Sequence, residues 1–259
     1  ELLMERRVRK NALWTFCALV SLAYFHQSRN DFAAADEPLR RAREAAQASG
    51  DPLLIARMDM EDARQAFKKA DYGKTWSLAS RAEAALTPGA PIDLQTGVTG
   101  ELAEACWATG RYRDSLNYYE RQAEMFRQAG NPFLEAAARY NIALLATSLG
   151  DEDGVSQEDV RGLARRAFEA AVASGNHEVE EEARLLVAAD PTLGLETRVA
   201  HLEKVLSSPN PALVGEALRA LAPLRLQTAP RHPEAALQLV DRAISIARAT
   251  GDPLATALG

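Results

Sequence analysis

The stretch ELAEACWATGRYRDSLNYYERQAEMF, residues 101–126, decides the fold. It reads as a helix carrying Leu102-Ala103, a turn at Gly110, and a second helix opened by Tyr112 and carrying Tyr119. Working outward from Ala103, alanines recur at 63, 23, 143 and 183, a spacing of forty residues. Seven residues after Ala23, Ala63, Ala103 and Ala143 stand Asn30, Ala70, Gly110 and Gly150, and nine after Ala23, Ala63 and Ala103 stand Phe32, Tyr72 and Tyr112. A small residue, a turn and an aromatic recurring in step mean one helical hairpin copied many times. In such arrays each hairpin buries its apolar faces against its neighbours.

The joints are written in one grammar: Ser49-Gly50-Asp51-Pro52, Ala129-Gly130-Asn131-Pro132 and Thr250-Gly251-Asp252-Pro253. Glycine ends a helix in a left-handed conformation, Asp or Asn caps the next, and Pro opens it where no amide donor is needed. Gly175-Asn176 and Asn210-Pro211 are partial copies. First helices are expected at about 5–28, 52–69, 93–109, 132–149, 177–189 and 211–227. Second helices are expected at about 31–49, 72–86, 112–129, 156–174, 195–206 and 233–249. The sequence therefore predicts an all-α solenoid of about six antiparallel hairpins in one domain spanning 1–259. Residues 1–190 are regular; 191–259 are degenerate, with Pro223 expected to kink a helix and a last hairpin truncated after Asp252. Between Gly150 and Val160 the acidic stretch DEDGVSQEDV lengthens a turn, and Ser156 with Asp159 forms a capping pair.

Composition agrees: 47% hydrophobic, 25% charged and only 6% aromatic, rich in residues that lose little freedom in a helix. A net charge of −6 with interleaved signs argues against nucleic acid as partner, which requires a concentrated basic face. The most apolar run, Leu13 to Phe25, is too short for a membrane span and reads as a buried core helix. Cys17 and Cys106 read as two buried thiols, which suits a cytoplasmic protein. The chain opens on Glu1 and closes in mid-helix, as a piece of a longer protein would.

On these residues the chain resembles the tetratricopeptide repeat family. The segments YNIALLATSLGD (140–151) and DFAAADEPLRRA (31–42) match that family's first helix with turn and its second helix. The period is 40 rather than the family's usual 34, which resembles the long-helix bacterial variants in the repeat arms of caspase-like CHAT proteases and in sensor arms of large ATP-dependent transcription activators. HEAT-like repeats, the structural rival, would place a kink in every first helix, whereas only the sixth hairpin carries Pro223. The resemblance implies a right-handed superhelix whose first helices line a groove.

Chemistry is sparse. Tyr72-Gly73-Lys74-Thr75 ends like a phosphate-binding loop, but Lys68 stands where its first glycine belongs. Asp151, Asp153 and Gly154 echo a calcium loop whose two most important positions would fall on Leu149 and Val160. His26 and Cys106 share a register but lie two repeats apart, too far for a nucleophile and its base. No catalytic set, cofactor site or metal site is read from the sequence, and no enzyme is expected. The groove register selects Tyr24, Met60, Arg64, Phe67, Glu104, Trp107, Tyr140 and Leu144 as a protein-binding face. Large amphipathic side chains of that kind favour a protein or peptide partner. The lysine and asparagine set that clamps a partner's C-terminal carboxylate in some family members is absent from this register. The expected role is a non-enzymatic, cytoplasmic, bacterial interaction arm of a larger protein, a CHAT-type protease in the first instance, with a C-terminal effector domain in the same chain as a further partner. The alternative is a ligand- or peptide-sensing regulatory domain of a transcriptional activator.

Overall fold

The computed structural model describes residues 2–29, 31–149, 155–228 and 233–251, with side chains from Asn11 onward except that of Phe32. Among them are twelve helices and no strand. They run α1 (Leu2–Ser28), α2 (Phe32–Ser49), α3 (Pro52–Lys68), α4 (Tyr72–Ala85), α5 (Ile92–Ala108), α6 (Tyr112–Gln128), α7 (Pro132–Ala146), α8 (Gln157–Ser174), α9 (His177–Ala188), α10 (Leu195–Val205), α11 (Pro211–Thr228) and α12 (Pro233–Thr250). The chain divides into two compact units, Glu1–Arg121 and Gln122–Gly259. Each is a stack of helical hairpins, the all-α solenoid architecture.

The joints fold as their residues dictate. Gly50 and Gly130 take left-handed φ values of 62° and 66°. Asp51 then accepts a hydrogen bond from the Leu53 amide (2.9 Å) and Asn131 one from the Leu134 amide (3.1 Å). Ser156 and Asp159 form a reciprocal capping box at the start of α8. At the α3–α4 turn a left-handed residue is needed but alanine supplies it: Ala70 has φ 57°, and Gly110 (φ 75°) takes the same place forty residues on. The acidic turn 151–154 and the joint at Asp252-Pro253 lie outside the described residues.

In unit 1, Ala23, Ala63 and Ala103 are at most 1% exposed. Ala63 packs with Leu78, Ala79 and Ala82 of α4, and the Ala103 carbonyl accepts a buried hydrogen bond from Ser115 Oγ of α6 (2.8 Å). Small residues let the backbones come this close. Gly97 extends the theme: a Cβ there would lie 2.5 Å from Met60 Sδ, so α3 and α5 meet at a glycine. In unit 2, Ala143, Ala167 and Ala183 form one buried cluster that seats α8 against both α7 and α9. Asn176 ties the same hairpins together, capping α9 at the Val179 amide while its side-chain amide donates to the Phe133 carbonyl (3.1 Å).

Two expectations change. The run Leu13–Phe25 is not a buried helix: Phe16, Leu19, Val20 and Ala23 face the core, whereas Leu13, Trp14, Leu22 and Phe25 are exposed, Trp14 at 66%. Its apolar residues are spread round the helix, and α1 packs chiefly on α2, so one face is left uncovered. Cys17 shares that outer side and is exposed, while Cys106 is buried. The backbone of α11 stays helical through Pro223, which is exposed. The C-terminal third has lost the alanine column but gained a leucine and valine core, including Leu202, Val205, Leu213, Leu221 and Leu224. No described helix is long and apolar enough to cross a membrane.

Candidate functional site

Consecutive first helices in unit 1 present the same register, so a residue on one meets the residue three positions short of its repeat equivalent on the next. Tyr24 donates to Glu61 Oε2 and accepts from Arg64 Nη1, bringing α1 onto α3. Arg64 Nε donates to Glu101 Oε1 of α5 at 2.9 Å, and its Nη1 lies 3.2 Å from both Glu61 oxygens. One guanidinium thus joins three helices and two carboxylates. The planar fork of arginine suits this role, since its donors sit at fixed angles.

Glu61 and Glu101 are both buried, and Glu101 is only 6% exposed, with Oε2 left without a hydrogen-bond partner. Burial pushes the Glu101 carboxyl up to about 7, with Arg64 pulling the other way and Glu104 adding repulsion. Burial also raises Glu104, again against the pull of Arg64. Next to this junction the Gln27 amide nitrogen donates to Gln65 Oε1 (3.0 Å), and Lys68 Nζ donates to Gln27 Oε1 (3.0 Å).

Of the sequence-selected face, Tyr24 and Arg64 are brought into direct contact, and Glu104 acts on Arg64 electrostatically. Phe67 is half-buried and stacks at a tilt on Tyr72, ring centroids 5.5 Å apart. Trp107 is half-buried on α5. Met60 does not belong to the face: it is 7% exposed and fills the space that Gly97 leaves. Tyr140 and Leu144 lie in unit 2, both half-buried, with Tyr140 against the Ala136–Ala171–Val179 cluster. Burial and the nearby Glu182 and Glu216 push the Tyr140 phenol upward.

Sequence reasoning missed Glu61, Glu101, Gln65 and Lys68. The signal existed: Glu61 and Glu101 stand two residues before their column alanines, forty apart. It was hidden because carboxylates on a helix are normally read as solvated. Unit 2 holds its own missed cluster. Arg184 lies over the Phe168 ring at 4.8 Å, contacts Glu180 (2.5 Å), and approaches His201 Nδ1 (3.3 Å), while His201 meets Phe168 edge-on. Burial and then Arg184 press the His201 pKa down. Asp190 is also buried; burial would raise it, but hydrogen bonds from Thr192 and Arg165 prevail and hold it low.

Hairpin grammar, buried column and first-helix register define a tetratricopeptide-type helical repeat. Solved structures share the fold. A signal transduction ATPase with numerous domains from Pyrococcus horikoshii, carrying a tetratricopeptide repeat sensor, superposes with a TM-score of 0.73 at 16% identity over 98% of this chain. The present chain spans 39% of that protein's length. The Rap conjugation gene regulator of plasmid pLS20, in complex with a Phr peptide, gives 0.59 at 14% identity, covering 95% of this chain and 76% of Rap. NprR bound to its cognate peptide NprX gives 0.57 at 15% identity, covering 97% and 76%. No family model matches the sequence. No curated protein matches it either.

Proposed function

We propose that the chain is a recognition module for a protein or peptide segment, working as a non-enzymatic, cytoplasmic part of a larger bacterial protein. The observation that carries this reading is the first-helix face of unit 1. There exposed Tyr24 and half-buried Arg64, Phe67, Glu104 and Trp107 share one register, on a base locked by Arg64 between two carboxylates. A pre-ordered base lowers the entropy cost of binding. Two proteins of the same fold, Rap and NprR, are seen with peptides bound, which supports a peptide as partner. The parent we propose first is a CHAT-type protease, with an effector domain of the same chain as a second client of this face. The regulatory alternative, a peptide sensor attached to a transcriptional activator, gains support from the sensor arm of the Pyrococcus ATPase. Neither nucleic acid nor membrane is proposed as a partner.

The test is selection of peptides from a displayed random library on the intact chain, followed by affinity measurement. Trp107→Ala should weaken selected peptides by about tenfold or more, roughly 1.4 kcal/mol, with the helical circular dichroism unchanged. Peptides that bind both proteins equally would remove the aromatic face from the function. A library that yields no binder above background would remove the reading itself.

A further inference from the structure

Beside the Tyr24–Glu61–Arg64 junction, the ends of α1 and α3 enclose a crevice of about 660 Å³ walled by Tyr24, Gln27, Ser28, Gln65, Lys68 and Lys69. This volume lies in the range of ordinary ligand sites, roughly 300–1,000 Å³. The wall carries two ammonium groups and no carboxylate, in a chain whose formal charge is −6. Gln27, at its floor, is 9% exposed. Its amide nitrogen is spent on Gln65 and its oxygen on Lys68. That arrangement occupies the Gln65 oxygen and leaves Gln65 Nε2 buried with no acceptor at all. The Tyr24 hydroxyl is taken by Glu61 and Arg64, and the Ser28 hydroxyl donates to the Phe25 carbonyl at 2.8 Å. The groups left to act are therefore donors: the second Gln27 amide proton, the Gln65 N–H pair, itself out of contact with solvent, the remaining Lys68 protons and the Lys69 ammonium.

A buried donor without an acceptor bears the full cost of its lost hydration, which an incoming oxygen recovers. Two ammonium groups at the same place select a charged oxygen over a neutral carbonyl, because hydrogen bonds to ions are the stronger ones. A second crevice shares Gln27, Gln65 and Lys69 with this one and also contains cations, but there Asp36, Asp62 and Asp71 line the wall as well, and Arg43 is paired with Asp62 at 2.5 Å. We propose that the Lys68–Lys69 crevice is an oxyanion site that takes a carboxylate of an acidic peptide segment. The proposal rests on the peptide-recognition reading above and names the chemistry of its ligand. Lys68 and Lys69 supply charge, Gln65 Nε2 supplies the directed hydrogen bond, and the Gln27–Lys68 bond holds the floor in place.

The experiment is fluorescence anisotropy of a fluorescein-labelled hexaglutamate peptide with the intact chain, against hexaserine and hexalysine. Hexaglutamate alone should bind, and raising salt from about 50 to about 300 mM should weaken it several-fold. The Lys68→Ala/Lys69→Ala double variant should lose about tenfold or more, and Gln65→Leu about threefold or more, while Lys204→Ala on α10 should bind as wild type does. Hexaglutamate binding no better than hexaserine overturns the proposal, as does binding that survives the double variant. Equal competition by inorganic phosphate at matched charge would put a free anion in the crevice and overturn the peptide assignment. A library-selected peptide that needs Trp107 but neither lysine leaves the recognition reading intact and overturns only this one.

Discussion

Replacing Glu101 by glutamine isolates a carboxyl whose burial works against its ion pair. Two effects compete on this carboxyl: pairing with Arg64 at 2.9 Å favours the ionised form, and removal from water favours the neutral one. Removal wins, lifting the pKa from 4.5 to about 7. The folded chain therefore keeps a proton that the unfolded chain releases. Between pH 4.5 and pH 7 the folded state binds more protons, so stability must fall as pH rises through that window and stay low above it. At about 1.4 kcal/mol per pKa unit, the loss by pH 8 is roughly 3 kcal/mol. Glutamine resembles the protonated acid in shape and can still accept from Arg64, so Glu101→Gln should escape this loss. Urea denaturation of both proteins, followed by circular dichroism from pH 4.5 to pH 8, gives the difference directly. The variant should match wild type at the acid end and exceed it by about 2–3 kcal/mol at pH 8. A difference that does not change with pH, or a Glu101 side chain titrating near 4.5 by NMR, would refute the argument that burial outweighs the arginine.

Further tests follow from the packing. Ala103→Leu should cost about 1–3 kcal/mol through overpacking at the Ser115 contact, while Ala108→Leu, at an exposed site of the same helix, should stay within about 0.5 kcal/mol, both by urea midpoint. Ala70→Gly should stabilise by roughly 0.5–1 kcal/mol, because alanine there is held at φ 57°; a neutral or destabilising result would show that the turn carries no strain. Gly97→Ala should destabilise by about 1 kcal/mol or more and be rescued in the background of Met60→Ala, and purely additive losses in the double variant would deny their contact.

The helices were legible because their boundary signals are local. A glycine, an Asx cap and a proline act on the backbone within a few residues, so Gly50-Asp51-Pro52 announces the start of α3 without any tertiary knowledge. The alanine column was legible for a similar reason, since close backbone approach demands a small residue wherever it recurs. Which face of a helix is covered is another matter. Met60 and Arg64 sit one turn apart on α3, yet one fills a void at Gly97 and the other reaches the surface. That difference depends on a glycine 37 residues away. The outer side of α1, with Trp14 and Cys17, misled for the same reason: apolar composition does not say which neighbour is present. Glu101 was hidden more deeply, because a carboxylate's burial is decided by the arginine of a different helix.

The joints have a consequence for how such a chain changes length. At Gly50-Asp51-Pro52 the glycine amide returns to the Gln47 carbonyl, the aspartate side chain takes the Leu53 amide, and proline has no amide to offer. The Asn131 joint repeats the arrangement, the Gly130 amide returning to the Arg127 carbonyl and the asparagine side chain taking the Leu134 amide. At these two joints the helix-ending and helix-opening amides find their acceptors within the joint itself, so a hairpin gained or lost between two such joints leaves those donors satisfied. What remains to be matched is apolar shape, an alanine stripe against an alanine stripe, together with the side-chain ties that cross it, such as Arg64 to Glu101 and Asn176 to the Phe133 carbonyl. A gene encoding this chain can therefore lengthen or shorten by whole hairpins through unequal recombination, each step costing a repacked interface rather than a broken backbone.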